Sequence, residues 1–217
     1  MKLPSNAQLW NSQRYPGIYI DTNGGATFAL KARVALEKIR RYPVGRNLLG
    51  RISERIVAHK NKKRISGPDL YVPIKCSGKS GKNEQSSINP TAEISTEHPN
   101  GMCTACPGKG TSAEVLWWPS SDNVNHPNYI VLAHELIHAL HALQGSVRKV
   151  YDWNDWKQPG GDQRKCGAAH EEARTVGLGL YRNESICENA IRKEHKIPTR
   201  KGYHQNERDE FAMLIPM

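Results

Sequence analysis

His134, Glu135 and His138 stand in the order His-Glu-Leu-Ile-His, and on an α-helix that spacing has a chemical consequence. Residues four apart lie roughly 40° apart around the axis, so two imidazoles leave one face and can grip one cation. Glu135 is offset by about 100°, near enough to take a proton from water held beside that cation. The stretch from Tyr129 to Leu143 is apolar on almost every side apart from its histidines and Glu135, which predicts a buried helix. Buried polar groups left unpaired cost about 1–3 kcal/mol each, and a lone carboxylate costs more. Ligation of a metal, Zn2+ for this ligand pattern, removes that cost. Core histidines bonded to backbone are the alternative reading.

A catalytic zinc takes a third protein ligand and keeps a position open. A glycine at position 141 and a histidine at 144 would give the metzincin set, but those positions hold His141 and Gln144. Asp152, Asp155 and Asp162 follow in a loop, and His170-Glu171-Glu172 opens a helix of small residues. On that helix Glu172 shares a face with Ala168, Ala169, Thr175 and Val176, whereas Glu171 faces Gly167, Ala168, Arg174 and Thr175. Glu172 therefore points to the drier side, which favours it as the ligand with Glu171 as its supporting partner. His170 is the alternative ligand, and His141 a packing or supporting group.

The elements that must position these groups are legible in outline. Residues 1–15 are polar with little periodicity and predict a mobile leader. Gly17 to Ile20 reads as a strand ended by Asp21-Thr-Asn-Gly-Gly25. Phe28, Ala32, Ala35, Leu36 and Ile39 predict a helix stopping before Pro43, and a second helix is expected from Arg46 to His59. Leu70 to Ile74 reads as a strand that Pro73 places at an edge or ends. Residues 77–112 read as irregular, Ala113 to Trp118 as a strand, and 151–161 as a loop. Helices are expected from Gly167 to Tyr181 and from Ser185 to His195, the latter opened by a capping box, Ser185-x-x-Glu188. The pattern is α+β: one domain over residues 16–217, with the His-Glu-x-x-His helix beside a small mixed sheet.

A chain of 217 residues that is 37% hydrophobic can bury one sizeable core and needs no second domain. No stretch has the roughly 20 apolar residues of a membrane span, and the first residues lack the apolar run of a secretory signal peptide. The balance of 31 basic to 21 acidic residues, net +10, favours acidic partners at low salt. The basic groups between Lys31 and Arg41 alternate with apolar residues at helical spacing, which reads as a solvated helix face. Five cysteines give no disulfide framework and fit free thiols in a reducing compartment. Cys103-Thr-Ala-Cys106 stands alone, without the second pair a structural zinc site would show.

His134-Glu-Leu-Ile-His-Ala-Leu-His-Ala-Leu-Gln-Gly145 followed by Glu171-Glu-Ala-Arg-Thr-Val-Gly177 resembles the clostridial neurotoxin light chains, with their HELIHxxHxLxG and EExxTFGG signatures. That resemblance implies Glu172 as third zinc ligand and Glu135 as general base. It further implies that Arg200 and Tyr203, which match the family's Arg-x-x-Tyr, polarise the scissile carbonyl. In length and layout the chain is more similar to the NleD-like effector metalloproteases, over most of residues 16–217. This likeness implies a compact zincin-like domain, injection into the host cytoplasm by type III secretion, and cleavage of a host protein, the stress-activated MAP kinases being the expected target. The chain departs from the toxin motif at Val176-Gly-Leu-Gly179, which bears on the substrate pocket rather than the metal. A monomer without nucleic-acid or membrane partners is expected. The rival reading is a basic module binding host protein or nucleic acid, its zinc closed by four ligands.

Overall fold

The computed structural model describes residues 7–10, 13–62, 71–76, 113–119, 124–147 and 171–202. Along them run β1 (Ala7–Leu9), β2 (Ile18–Asp21), α1 (Gly25–Arg40), α2 (Pro43–Lys62), β3 (Val72–Cys76), β4 (Val115–Trp117) and α3 (Asn128–Gln144). A helix over residues 171–176, here α4, and α5 (Glu188–Glu194) follow. The fold is α+β. The strands form one sheet in the order β1-β2-β3-β4, with β2, β3 and β4 parallel and β1 antiparallel to β2. Parallel neighbours require a crossover, and α1 with α2 supplies the one between β2 and β3.

Every residue of β2 is buried, as a strand covered on both faces requires. It ends where the Asp21 carboxylate accepts from the backbone N–H of Asn23 at 2.9 Å, an Asx turn that leads through Thr22–Gly24 into α1. Phe28, Ala29, Ala32, Ala35, Leu36 and Ile39 form the buried stripe of α1. The second helix begins at Pro43, three residues before its periodicity. Proline suits the first helical position, where its missing N–H leaves no bond unmade. The Glu194 carboxylate, at the end of α5, accepts from the Val44 N–H at 3.0 Å and so caps α2 from across the molecule. At Gly45 an added Cβ would lie 1.9 Å from the Ile39 carbonyl oxygen, so glycine lets the last turn of α1 meet the first turn of α2.

Three expectations change. Residues 7–10 and 13–15 fall within the segment expected as a mobile leader, yet Ala7–Leu9 pairs with β2. Trp10 and Tyr15 are buried, their rings stacked at 5.3 Å, and two aromatic anchors hold a polar segment that periodicity could not read. Pro73 lies in an interior strand rather than at an edge. The Val72 N–H is bonded towards β2, to the Gly17 carbonyl, so the nitrogen of Pro73 faces the opposite side, where pairing with β4 begins only at Ile74. The helix expected to run to Tyr181 stops at Val176: Gly177 takes φ 84°, and the Gly177 and Leu178 N–H groups both close on the Ala173 carbonyl at 2.8 Å.

The core gathers around α3, whose residues Ile130, Leu132, Ala133, Leu136, Ile137, Ala139 and Leu140 are all buried. Trp117 of β4 is 1% exposed, packs on Phe28 at 5.9 Å and donates from Nε1 to the Asn128 carbonyl at 3.2 Å, which ties the sheet to the start of the helix. The other end of α3 closes on Gly145 at φ 66°. Its N–H reaches the Ala142 carbonyl and that of Ser146 reaches His141, the pair of bonds of a Schellman motif. No helix among the described residues is long and apolar enough to cross a membrane. Residues 77–112 with Cys103 and Cys106, the 151–161 loop and His170 lie outside the described residues.

Candidate metal centre

His134, Glu135 and His138 lie on the middle turns of α3. α4 comes alongside, held by the Arg174 guanidinium, which donates to the Ser146 carbonyl just past α3 at 2.9 Å. Ala173 and Val176 on α4 are fully buried. The approach brings Glu172 to the histidines. His134 Nε2 lies 3.1 Å from a Glu172 oxygen, His138 Nε2 lies 3.3 Å from the other, and the two Nε2 atoms are 3.1 Å apart.

The outer partners fix what those atoms are. His134 Nδ1 is 2.8 Å from Glu188, and His138 Nδ1 is 3.1 Å from Glu171 and 3.2 Å from the Thr175 hydroxyl. Carboxylates at both Nδ1 positions favour a ring proton there, which would turn each Nε2 lone pair towards a bound cation. Without one, the two imidazoles draw protons to balance the carboxylates around them, so a metal ion and protons compete for the same place. With bonds of about 2.0–2.1 Å, a tetrahedral zinc site has ligand-to-ligand edges of about 3.3 Å, and the three separations match that spacing. The residues fit a metal ion.

The electrostatics express the same demand. Burial disfavours a charge on His138, but hydrogen bonds to Glu171 and Glu172 outweigh it and raise its pKa to about 10. His134 is raised against burial by Glu172 and Glu188. Burial would push Glu172 up, yet the two histidines hold it at about 2. A bound cation supplies the positive charge these groups otherwise seek from protons. Glu135 behaves differently: burial raises it to about 7 although both histidines pull it down. No hydrogen bond joins its carboxylate to another described residue, so it is the acid of the cluster with a free proton-accepting oxygen.

His141 Nδ1 lies 2.6 Å from Glu171, and His138, His141 and Glu171 form a second group close enough together to hold a metal ion. The same glutamate therefore braces His138 and His141 and is held strongly acidic by them. Glu188 is the residue that sequence reasoning missed. The capping box expected at Ser185-x-x-Glu188 does not form, because Cys187 is the N-cap and makes no side-chain cap bond. The Glu188 carboxylate, 2% exposed, turns inward to His134, to Arg192 Nε at 2.5 Å and to Arg200 at 3.1 Å. The readable signal is the Glu188/Arg192 pair, four residues apart on a helix whose flanks are apolar.

Arg200 thus reaches the outer side of the cluster, its N–H held by the Asn189 side chain at 2.7 Å, while Tyr203 lies outside the described residues. Replacement Glu188→Gln keeps an acceptor for His134 but removes the charge that balances Arg192 and Arg200. Metal affinity is expected to fall by about 10–100-fold, read by competition with a chromophoric chelator on protein whose far-UV circular dichroism is unchanged. Unaltered affinity would remove Glu188 from the site.

A family model described as effector protein, Peptidase_M91, matches residues 17–203. No curated protein and no solved structure matches the chain. The matched span runs from β2 through α5 and takes in the whole His134, His138, Glu172 and Glu188 cluster, and the chain belongs to the Peptidase_M91 family of effector proteins, the NleD-like peptidases.

Proposed function

We propose that the chain is a zinc endopeptidase delivered into host cells by type III secretion, where it cuts a host signalling protein, with stress-activated MAP kinases as the candidate substrates. The observation that carries the catalytic reading is the convergence of His134 Nε2, His138 Nε2 and Glu172 at 3.1–3.3 Å beside Glu135, whose carboxylate makes no hydrogen bond to another described residue. Membership of a peptidase family of effectors supports a host protein as substrate. The kinase identity and the export route rest on the resemblance alone.

His134, His138 and Glu172 would hold the zinc, which supplies a Lewis acid and makes water acidic enough to attack near neutral pH. Glu135 takes the proton of the attacking water and hands it to the leaving amine. By the resemblance Arg200 and Tyr203 polarise the scissile carbonyl; Arg200, paired with Glu188 behind His134, would need to leave that pair to do so, and Tyr203 would donate a hydrogen bond to the developing oxyanion. Glu171, Thr175 and Glu188 keep the two imidazoles oriented.

The test is digestion of host-cell extract with the zinc-loaded protein, mapping new N-termini against the Glu135→Gln variant. Wild-type-specific N-termini within kinase activation loops are expected. Cuts in other proteins alone would refute the kinase assignment, and identical maps would refute the protease.

A further inference from the structure

The outer face of α1 carries a feature that the metal centre does not use. Arg14, Arg33, Lys38, Arg41 and Arg46 line a surface groove of about 640 Å³ together with Val34, and all five cations are exposed. The acid among the lining residues, Glu37, is already engaged. One oxygen accepts from Trp10 Nε1 at 3.1 Å and the other from Arg40 at 2.8 Å, so Glu37 offsets Arg40 and leaves the rest. No carboxylate pairs with those five side chains among the described residues.

Helix electrostatics account for part of this cluster. Lys38 and Arg40 sit in the last turn of α1, where cations complement the dipole. Arg46 has the opposite placement: it lies in the opening turn of α2, which holds no acid and where the dipole disfavours a cation. Its guanidinium reaches back to the carbonyl of Arg41, the C-cap of α1, at 2.9 Å, so it serves the end of the preceding helix and stays beside the groove. Arg14 and Arg33 have no helix-end role. Like charges gathered at a cost in self-repulsion suit an anionic occupant.

The apolar neighbours narrow the occupant. Val34 is 48% exposed, and Leu30, one turn earlier on the same helix, is 62% exposed; the two form an aliphatic step beside the cations. Val34 is the apolar side chain among the groove's lining residues, and no aromatic ring lines it. Single-stranded nucleic acid would use aromatic platforms. A volume within the ~300–1,000 Å³ of ligand pockets admits a short extended segment. The buried stripe of α1 faces the core, so the groove lies outside the His134 and His138 cluster.

We propose that this groove docks an acidic segment of the protein substrate, one that also presents an aliphatic side chain to Leu30 and Val34. Calling the partner a substrate rests on the proteolytic reading; the binding itself does not. Docking here would hold a substrate by charge and a few apolar contacts while its scissile bond lies elsewhere.

The test is fluorescence anisotropy with the full chain carrying Glu135→Gln, using a labelled peptide of glutamates and leucines. Its lysine counterpart, a duplex RNA, and vesicles of phosphatidylserine serve as competing probes. The acidic peptide is expected to bind in a salt-sensitive manner, about tenfold more weakly to Arg33→Glu/Arg46→Glu, and more weakly to Val34→Asp. Arg51→Glu/Arg55→Glu, exposed on α2 away from the groove and equal in net charge, should bind as the parent does. Equal weakening in both double variants, preferred binding of RNA or vesicles, or a concentration-dependent dimer masking the groove would each overturn the proposal. Absence of any new N-terminus made by the zinc-loaded wild type in host-cell extract would sink the enzymatic reading and leave these binding curves standing.

Discussion

Replacing Glu135 with glutamine is expected to lower kcat by about 10²–10⁴-fold, the range for a positioned general base, with zinc content and thermal unfolding unchanged. Glutamine preserves the shape and takes away the proton acceptor. Its side chain is buried beside His134 and His138, and burial is what lifts the pKa to about 7, so the neutral amide relieves rather than creates a desolvation cost. The same group sets a pH dependence. Protonation disables a base, so kcat/KM should fall tenfold per pH unit on the acid side of a limb lying no higher than about 7, because a nearby dication lowers that value. Stopped assays on the mapped substrate from acid to neutral pH would show it. Turnover by Glu135→Gln near the wild-type rate would assign the base elsewhere.

The second large effect concerns Glu172. Glu172→Ala removes one of the three convergent atoms and leaves two imidazoles, so zinc affinity should fall well beyond the ~10–100-fold that an outer partner is worth. Glu171→Ala should stay within that smaller range, since Glu171 touches the Nδ1 side of His138 and not Nε2. Elemental analysis after dialysis against a weak chelator separates the two. Full zinc in Glu172→Ala would move the third ligand to His170 or to an aspartate of the 152–162 stretch.

How far the site could be read before the fold depended on the range of each interaction. His134, Glu135 and His138 lie on one helix, where spacing alone dictates the face, whereas the facing argument put Glu172 on the drier side and the structure reverses that: Glu171 is the more buried carboxylate, its side chain 8% exposed against 23% for Glu172. Glu188 was hidden for a physical reason. It meets His134 from 54 positions away, and the local pattern Ser-x-x-Glu is equally consistent with a capping box, so only the packing of α5 on α3 tells the two apart. The sheet shows the same division. β2 and β4 are visible in their own residues, whereas β1 depends on pairing with β2 and on the burial of Trp10 and Tyr15. Pro73 misled because the rule against interior proline concerns a hydrogen bond, and at that position the neighbouring strand had not yet begun.

The geometry of β1 has a mechanical consequence. Antiparallel pairing sets Ala7 opposite Asp21 and Leu9 opposite Tyr19, so the incoming end of the chain and the end of β2 that continues into the body lie side by side. A pull on the N-terminal side of Ala7, resisted through Asp21, opens the ladder like a zipper, one bond after another, instead of shearing all bonds at once. The first element to yield under tension from that end is therefore the weakest in the sheet, and its release frees the Trp10 and Tyr15 stack before any load reaches α3. Tension applied at Ala7 is therefore spent on a three-residue ladder before it meets the parallel strands.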